Sequence, residues 1–339
     1  MRRTGALFLS LVLVVACGGK QTTTQHSSNE HLKEVERENA AKLRPEEYRK
    51  TEGTGDVLTP YVRPERSARL DGAYRSGRPR EVFRAPVDES IQPAFVLAAG
   101  NRIAVLGNKG WMSVDLRGNR VQSGHVDPAL ARLDRESGVV VAADGEDVPP
   151  GEVRQRYALH DGAFATAAMR MVKVTPKAGE PKVLEGDFEG IEVAFDDEGI
   201  AQFVVRQKNE LMLWSVPSGA GSIGRTKLGI SGGVGLRVPP IVGRSLRVFV
   251  LADRMIAIGL DGKKKWERKG AITGGASITG DDVLLVADGA RVLAVDPAGK
   301  TTQLVEAEKD QVFVTPPIVN ASGMLVVASG KWLHAYAFP

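Results

Sequence analysis

Cysteine is almost absent from this sequence. Cys17 is the only cysteine among 339 residues, so no disulfide framework can form within the chain. The five histidines share no metal-binding spacing: His26, His31, His125, His160 and His334. No GxSxG, HExxH or P-loop motif occurs, and the GxGxxG match at 219–224 is not followed by a helix-forming stretch. We therefore predict no catalytic residues, no metal, no cofactor and no enzymatic activity.

A large net charge and a membrane-spanning hydrophobic run are also lacking. The formal charge is +4, and Arg2 and Arg3 account for two of these charges, which predicts no binding of nucleic acid. The apolar run Ala6–Ala16 is too short to span a bilayer as a helix. With two arginines before it, this run is typical of the core of a secretory signal peptide.

The residues Val14-Val15-Ala16-Cys17 resemble the bacterial lipobox, with Val where Leu is usual. The resemblance implies a lipoprotein signal peptide at 1–16 and a mature chain that begins at Cys17, acylated with palmitate or a similar lipid. Several acyl chains would hold the protein at the membrane almost permanently. Gly18, in place of the Asp associated with inner-membrane retention, favours the outer membrane. A cleaved signal followed by a free cysteine is the alternative.

Residues 17–79 are predicted to be a lipid-anchored polar and basic tether, largely disordered. The first part has few aliphatic residues and cannot bury enough apolar surface to offset its ordering entropy. Ser27 and Glu30 fit a capping box, which would open a short helix over 28–43. A solvated spacer and a partner-docking helix are both consistent with this pattern.

The most basic stretch of the chain is 63–84. Its arginines could hold phosphates or carboxylates of an anionic lipid, lipopolysaccharide or acidic partner. A linker kept soluble by charge is the other interpretation. The candidate contact residues are Arg63, Arg66, Arg69, Arg75, Arg78, Arg80 and Arg84.

From residue 80 onward, short β-like runs alternate with Gly, Asp and Pro turns, and a unit recurs. "PPIV" at 239–242 and 316–319 has "ASIT" at 276–279 between, which gives a period near 40 residues. The apolar anchors of the innermost strands are Phe95, Leu130, Val193, Ile241, Ile278 and Ile318. We predict an all-β domain over 80–339, a single β-propeller of four-stranded blades. Six blades are expected, with an insertion at 144–163, and seven are the alternative.

The last repeat ends at Pro339 without a fourth strand. Residues 80–86 have the pattern of an outer strand, with Val82 and Phe83 as its apolar pair. We predict that this N-terminal strand completes the last blade and closes the ring.

The unit "AIGLDGKKKWE" at 257–267 resembles the repeat of pyrroloquinoline-quinone (PQQ) type β-propellers. This group includes quinoprotein dehydrogenases and the non-enzymatic BamB-like lipoproteins of the outer-membrane β-barrel assembly machinery. The cysteine pair and calcium-loop pattern of the quinoproteins are missing here, so the resemblance favours a non-enzymatic protein without quinone.

The expected function is therefore a protein-interaction scaffold in the bacterial cell envelope, lipid-anchored through Cys17 in the outer membrane. The propeller itself would be monomeric and would bind one or more envelope proteins, with a role in outer-membrane protein assembly as one option. A glycan- or small-molecule-binding propeller is the main alternative, and a quinone-dependent dehydrogenase relative is the second.

Overall fold

The fold is built from β-strands. The computed structural model describes residues 56–57, 70, 74, 76–126, 128, 131–134, 136–142, 156–168, 171–186, 189–231, 239–251, 253–270 and 272–339. These residues contain no α-helix, and hence none long and apolar enough to cross a membrane. The expected signal peptide, Cys17 and the helix predicted over 28–43 lie outside this part of the chain.

Among the described residues, the strands form six four-stranded antiparallel sheets and one two-stranded sheet, numbered here in chain order. The first strand, β1 (Arg80–Pro86), belongs to the last sheet. Sheet 1 contains β2 (Pro93–Ala99), β3 (Arg102–Gly107), β4 (Gly110–Asp115) and β5 (Arg120–Gly124). Sheet 2 contains only β6 (Ala131–Leu133) and β7 (Val140–Ala142). Sheet 3 contains β8 (Arg156–His160), β9 (Ala163–Ala168), β10 (Met171–Thr175) and β11 (Lys182–Glu185).

The remaining sheets follow the same meander. Sheet 4 contains β12 (Glu189–Phe195), β13 (Ile200–Gln207), β14 (Glu210–Pro217) and β15 (Gly224–Ser231). Sheet 5 contains β16 (Ile241–Val242), β17 (Leu246–Val250), β18 (Arg254–Gly259) and β19 (Lys264–Lys269). Sheet 6 contains β20 (Gly275–Ile278), β21 (Leu284–Asp288), β22 (Arg291–Val295) and β23 (Thr301–Glu306). Sheet 7 contains β24 (Ile318–Val319), β25 (Met324–Ala328), β26 (Trp332–Ala337) and β1.

Burial falls from the inner strands of a sheet to its outer strand. In sheet 5 every residue of β17 is buried, whereas most residues of β19 are exposed. The central strands of sheet 5 are apolar on both faces because sheet 5 packs against sheet 4 on one side and sheet 6 on the other. Such sheets stabilise each other and cannot bury their faces alone.

Strand β1 supplies the fourth strand of sheet 7, which is the pairing predicted for it. It runs antiparallel to β26, from Arg80 opposite Ala337 to Pro86 opposite Trp332. A register irregularity between Glu81 and Phe83 leaves Val82 53% exposed, while Phe83 packs against the core. Both residues of the expected apolar pair thus lie in β1, but only Phe83 contributes its side chain to the core.

The sheets pack in a continuous series. Sheet 2 contacts sheet 1 through β6 and β2, and sheet 1 contacts sheet 7 through β2 and β25. Sheets 7 and 6 are joined by the Thr273 hydroxyl, which donates to the Phe313 carbonyl at 3.0 Å. The series continues through sheets 5 and 4 to sheet 3. Residues 143–155, between sheets 2 and 3, lie outside the described chain, so ring closure and the number of blades stay predictions.

The recurring Asp/Gly turns pack closely against neighbouring sheets. In sheet 1 the Asp115 carboxylate accepts backbone hydrogen bonds from residues 117 and 119, and Gly118 takes a positive φ of 84°. A Cβ on Gly118 would lie 2.6 Å from the Phe83 ring of β1. Gly299 makes the same close approach to Trp266 of sheet 5. Glycine is required at both positions for two reasons. The backbone is left-handed there, and the neighbouring aromatic ring leaves no room for a Cβ.

The predicted insertion at 144–163 is wrong over its last residues. Residues 156–160 form β8, the first strand of a complete sheet, and 163 begins β9. The long step between the predicted anchors Leu130 and Val193 therefore holds both sheet 2 and sheet 3. Leu130 itself lies outside the described residues. The other predicted anchors, Phe95, Val193, Ile241, Ile278 and Ile318, all lie in first strands.

Candidate interaction surface

The meander gives the molecule two different ends. Links from first to second strands and from third to fourth strands lie at one end, which we call face A. Links from second to third strands, together with the connections between sheets, lie at the other end, face B. This separation follows because successive strands of each sheet run in opposite directions.

The segment before β1 docks on face A. The backbone of Val57 forms a two-way bridge with Ala98 of β2, with N–O distances of 2.7 and 2.8 Å. The Leu70 amide donates to the carbonyl of Ile278 in β20 at 2.7 Å. Both side chains are buried in the core, at 1% and 2% exposure. The segment thus uses the free edges of the innermost strands of sheets 1 and 6, on either side of sheet 7.

Tyr74 continues this contact toward the last sheet. Its amide donates to the Asp281 carboxylate at 2.9 Å, and its ring meets Phe338 edge-on with centroids 6.1 Å apart. Burial, and then the Asp281 charge, raise the pKa of the Tyr74 hydroxyl. Gly77 then lies against Pro339. At these positions the folded region begins before residue 80, the boundary predicted for it.

The candidate arginines divide into three groups. Arg63, Arg66, Arg69 and Arg75 lie outside the described residues. Arg78 and Arg80 are exposed. Arg84 pairs with Glu308 at 2.6 Å, and its guanidinium lies over the Trp332 ring, 5.2 Å from the centroid. Arg84 is thus already held by an acid and an aromatic of its own chain.

Ser329, His334 and Glu81 form the arrangement closest to a catalytic triad. His334 Nδ1 is 2.8 Å from Glu81 Oε1, and Nε2 is 3.5 Å from Ser329 Oγ. Ser329 and His334 are only 1% and 2% exposed, and the Ser329 hydroxyl accepts a hydrogen bond from the Trp332 amide. Ser329 is therefore closed off from solvent, and the Glu81–His334 contact joins β1 to β26.

Aromatic rings enclose His334. Phe313 meets its ring edge-on at 5.7 Å, and Tyr336 stacks on it at 6.1 Å. Burial, followed by the charges of Glu81 and Glu308, strongly raises the pKa of the Tyr336 hydroxyl. The Tyr336 phenol is therefore neutral throughout the physiological pH range.

A buried ion pair joins sheets 4 and 5. Arg247 Nη2 is 3.0 Å from Asp196 Oδ2, and both side chains are at least nine-tenths buried. Arg247 also donates to the Gly243 carbonyl at 2.8 Å, while Asp196 accepts from the Gln202 amide at 3.0 Å. All these partners come from the chain itself, which makes this a structural network rather than a ligand site.

The GxGxxG match and the expectation of no metal site can also be compared with the structure. The GxGxxG match at 219–224 lies in the hairpin between β14 and β15, where Lys182 donates to the carbonyls of Pro217 and Gly219. A hairpin does not present the helix N-terminus that a dinucleotide requires. Among the described residues, no three His, Cys, Asp or Glu side chains are grouped to hold a metal ion.

Comparison with known proteins identifies the fold. The scan of family models and the search of curated proteins found no match to this chain. Among solved structures, BBS1N in complex with ARL6DN matches with a TM-score of 0.50 and 12% identity, over 78% of this chain and 98% of that one. The chain is a β-propeller.

Two further propellers match at lower similarity. Virginiamycin B lyase from Staphylococcus aureus has a TM-score of 0.49 and 11% identity, over 76% of this chain and 99% of that one. PorZ, an essential surface component of the type-IX secretion system of Porphyromonas gingivalis, has a TM-score of 0.45 and 13% identity, over 78% of this chain and 39% of that one. Matches at such identities show the fold alone, and the PQQ-type resemblance stays a prediction.

Proposed function

We propose that this propeller is a non-enzymatic, lipid-anchored scaffold of the bacterial cell envelope that binds a protein partner. The anchor is Cys17, and the membrane is the outer membrane. A role in outer-membrane protein assembly is the most specific form of the proposal, since it rests on the resemblance to the BamB-like lipoproteins.

The docked N-terminal segment is the observation that carries the proposal. Val57 and Leu70 are buried against innermost strands, so the chain leading from Cys17 joins the propeller firmly, at face A. Such an attachment would connect the propeller to an anchor at Cys17, as a scaffold held at a membrane requires. The burial of Ser329 and His334 supports a role without catalysis. The BBS1N propeller, determined in complex with ARL6DN, supports a protein partner.

Substitution of Cys17 tests the anchor. In a Gram-negative host, the natural chain should incorporate radiolabelled palmitate and sediment with outer membranes. Cys17→Ser should incorporate no label and should be released into the soluble fraction. If Cys17→Ser stays in the membrane fraction, the anchor is not at this residue.

Affinity purification from detergent-solubilised envelope tests the scaffold. We expect one protein to copurify at a fixed stoichiometry. If no protein copurifies and a glycan or small molecule raises the melting temperature instead, the ligand-binding alternative replaces the scaffold. Turnover of pyrroloquinoline quinone in the presence of calcium would contradict the non-enzymatic assignment.

A further inference from the structure

Face B carries a repeated cationic feature. The turns between second and third strands are equivalent positions of successive sheets. Each of the five such turns described in the four-stranded sheets places a Lys in the turn or an Arg at the first residue of the third strand. These residues are Lys109, Lys208, Arg254, Arg291 and Lys331. The sixth turn, 169–170, lies outside the described residues.

The lysines are available to a partner, whereas the arginines are partly occupied. Lys109, Lys208 and Lys331 are exposed, and none makes an ion pair within the described chain. Arg254 pairs with Asp253 and Glu267 at 2.8 and 3.0 Å, and Arg291 pairs with Asp288 at 3.2 Å. Sheets 1, 4 and 7 thus each present, at this turn, an exposed lysine without an ion pair in the described residues.

Several of the acids on face B are neutralised by the chain itself. Asp88 is bound by Arg120 and Glu308 by Arg84, each at 2.6 Å. The exposed acids that have no ion pair within the described residues lie in the connections between sheets and at the ends of outer strands. They are Glu89, Asp310, Glu185 and Glu306. The exposed lysines of these turns thus have acids beside them. Glu89 lies in the link 87–91, which hydrogen-bonds to the backbones of Lys331 and Lys109.

The N-terminal segment occupies the opposite end. Asp56 accepts the Gly100 amide at 3.1 Å, and Tyr74 binds Asp281, and both partners belong to links of face A. The described residues of the N-terminal segment thus contact face A, at the opposite end from the turns of face B.

We propose that face B docks an acidic surface of a partner protein, with Lys109, Lys208 and Lys331 as the main charge contacts. This deepens the proposed scaffold function and rests on it for the existence of a partner. Cations arranged at equivalent positions steer a complementary anionic surface and fix its orientation more than they add affinity. The interaction should therefore weaken as the salt concentration rises.

The test compares two triple variants of the full-length chain in non-ionic detergent. The first variant, Lys109→Glu/Lys208→Glu/Lys331→Glu, reverses the charge of the three exposed lysines of face B. Lys177→Glu/Lys263→Glu/Lys300→Glu changes the net charge equally with exposed lysines of face A, of which Lys177 also pairs with Asp161 at 3.9 Å. The probe is a short fluorescein-labelled poly-L-glutamate peptide, and its anisotropy gives the dissociation constant at several salt concentrations.

We expect the face B triple to weaken binding about tenfold and the face A triple to change it less than twofold. Equal weakening by both triples would mean that net charge alone acts, and would overturn the proposal. Absence of binding by the natural chain would overturn it too. Binding to anionic phosphatidylglycerol vesicles but not to the peptide would assign face B to a membrane instead. None of these results depends on where Cys17 places the protein, so failure here is distinguishable from failure of the anchor.

Discussion

Arg247 and Asp196 are the residues whose substitution has the most predictable energetic effect. Arg247→Met leaves the Asp196 carboxylate buried without its cation. We expect the free energy of unfolding to fall by about 3–5 kcal/mol, because an uncompensated buried charge costs far more than an ion pair contributes. Urea denaturation followed by tryptophan fluorescence measures this loss.

The double variant Asp196→Asn/Arg247→Met should recover part of that stability, since no charge then remains buried. Arg254→Met is the matched control. Its ion pairs with Asp253 and Glu267 are exposed to solvent, so its loss should be far smaller than that of Arg247→Met. Equal losses for Arg247→Met and Arg254→Met would contradict the buried-pair argument.

Tyr336 makes the stability of the folded protein depend on pH in the alkaline range. Its pKa is raised in the folded state by burial and by Glu81 and Glu308. An acid of this kind contributes stability that is present below its unfolded-state pKa of about 10 and is lost as the pH rises above that value. The melting temperature should therefore fall steeply above about pH 10, and the fall should be shallower in Tyr336→Phe. Identical pH profiles for the two proteins would rule out this contribution.

At the scale of the element, the Asp/Gly turn is the unit that docks one sheet on the next. Gly118→Ala would place a Cβ 2.6 Å from the Phe83 ring, at a φ of 84°. Gly289→Ala is the matched control, because Gly289 also has a positive φ, of 64°, but no atom lies within 4 Å of its Cβ position. Only the first variant adds a steric clash to the backbone strain.

We expect Gly118→Ala to be less stable than Gly289→Ala by about 1–3 kcal/mol, the usual cost of overpacking. Thermal or urea denaturation of the two variants measures this difference. In a Phe83→Ala background, Gly118→Ala should cost little more than Gly289→Ala costs there, because the ring that clashes is gone. If Gly118→Ala and Gly289→Ala lose the same stability, the close packing of β1 on sheet 1 is not what the glycine provides.

The repeated elements were predictable from the sequence, and the irregular ones were not. Inner strands with buried Ile241, Ile278 and Ile318 recur with regular spacing, and the strand missing from the last repeat identified β1. Sheet 2 has only two short strands, too few for a periodic signal, so its boundary with sheet 3 was misplaced. Val57 and Leu70 are single apolar residues in a polar stretch, and only tertiary contacts reveal their burial.

The cationic turns of face B were missed for a different reason. A lysine in a two-residue β-turn, such as Lys109 or Lys208, is ordinary in any single hairpin. Their significance comes from the sheet series, which places equivalent turns at one end of the molecule. An alignment of the repeats on their second-to-third turns would have provided the signal.

At the scale of the whole molecule, the docked N-terminal segment predicts different stabilities for two truncated proteins. Deleting 18–55 leaves Asp56, Val57 and Leu70 in place, so the melting temperature should stay within a degree or two of the full chain. Deleting 18–75 removes two fully buried apolar side chains. That deletion should cost about 3–6 kcal/mol, on the basis of about 1.5–3 kcal/mol for each side chain.

Differential scanning calorimetry of both truncations provides the measurement. The paired substitutions Val57→Ala and Leu70→Ala in the full chain are the control, and they should reproduce part of the loss without changing chain length. Equal melting temperatures for the two truncations would mean that the segment from 56 to 75 contributes nothing to the fold.

The pairing of β1 with β26 also determines when sheet 7 can form during synthesis of the chain. Glu81 and His334, which meet across this pair, are 253 positions apart in the chain. A ribosome that adds about 5–20 residues per second takes roughly 13–50 s to make the intervening residues. During that interval β1 exists without the strand it needs, and a contact so distant in sequence is also slow to form. Sheet 7 can therefore be completed only once β26 has been made, and β1, although made first, is among the last strands to reach its native place.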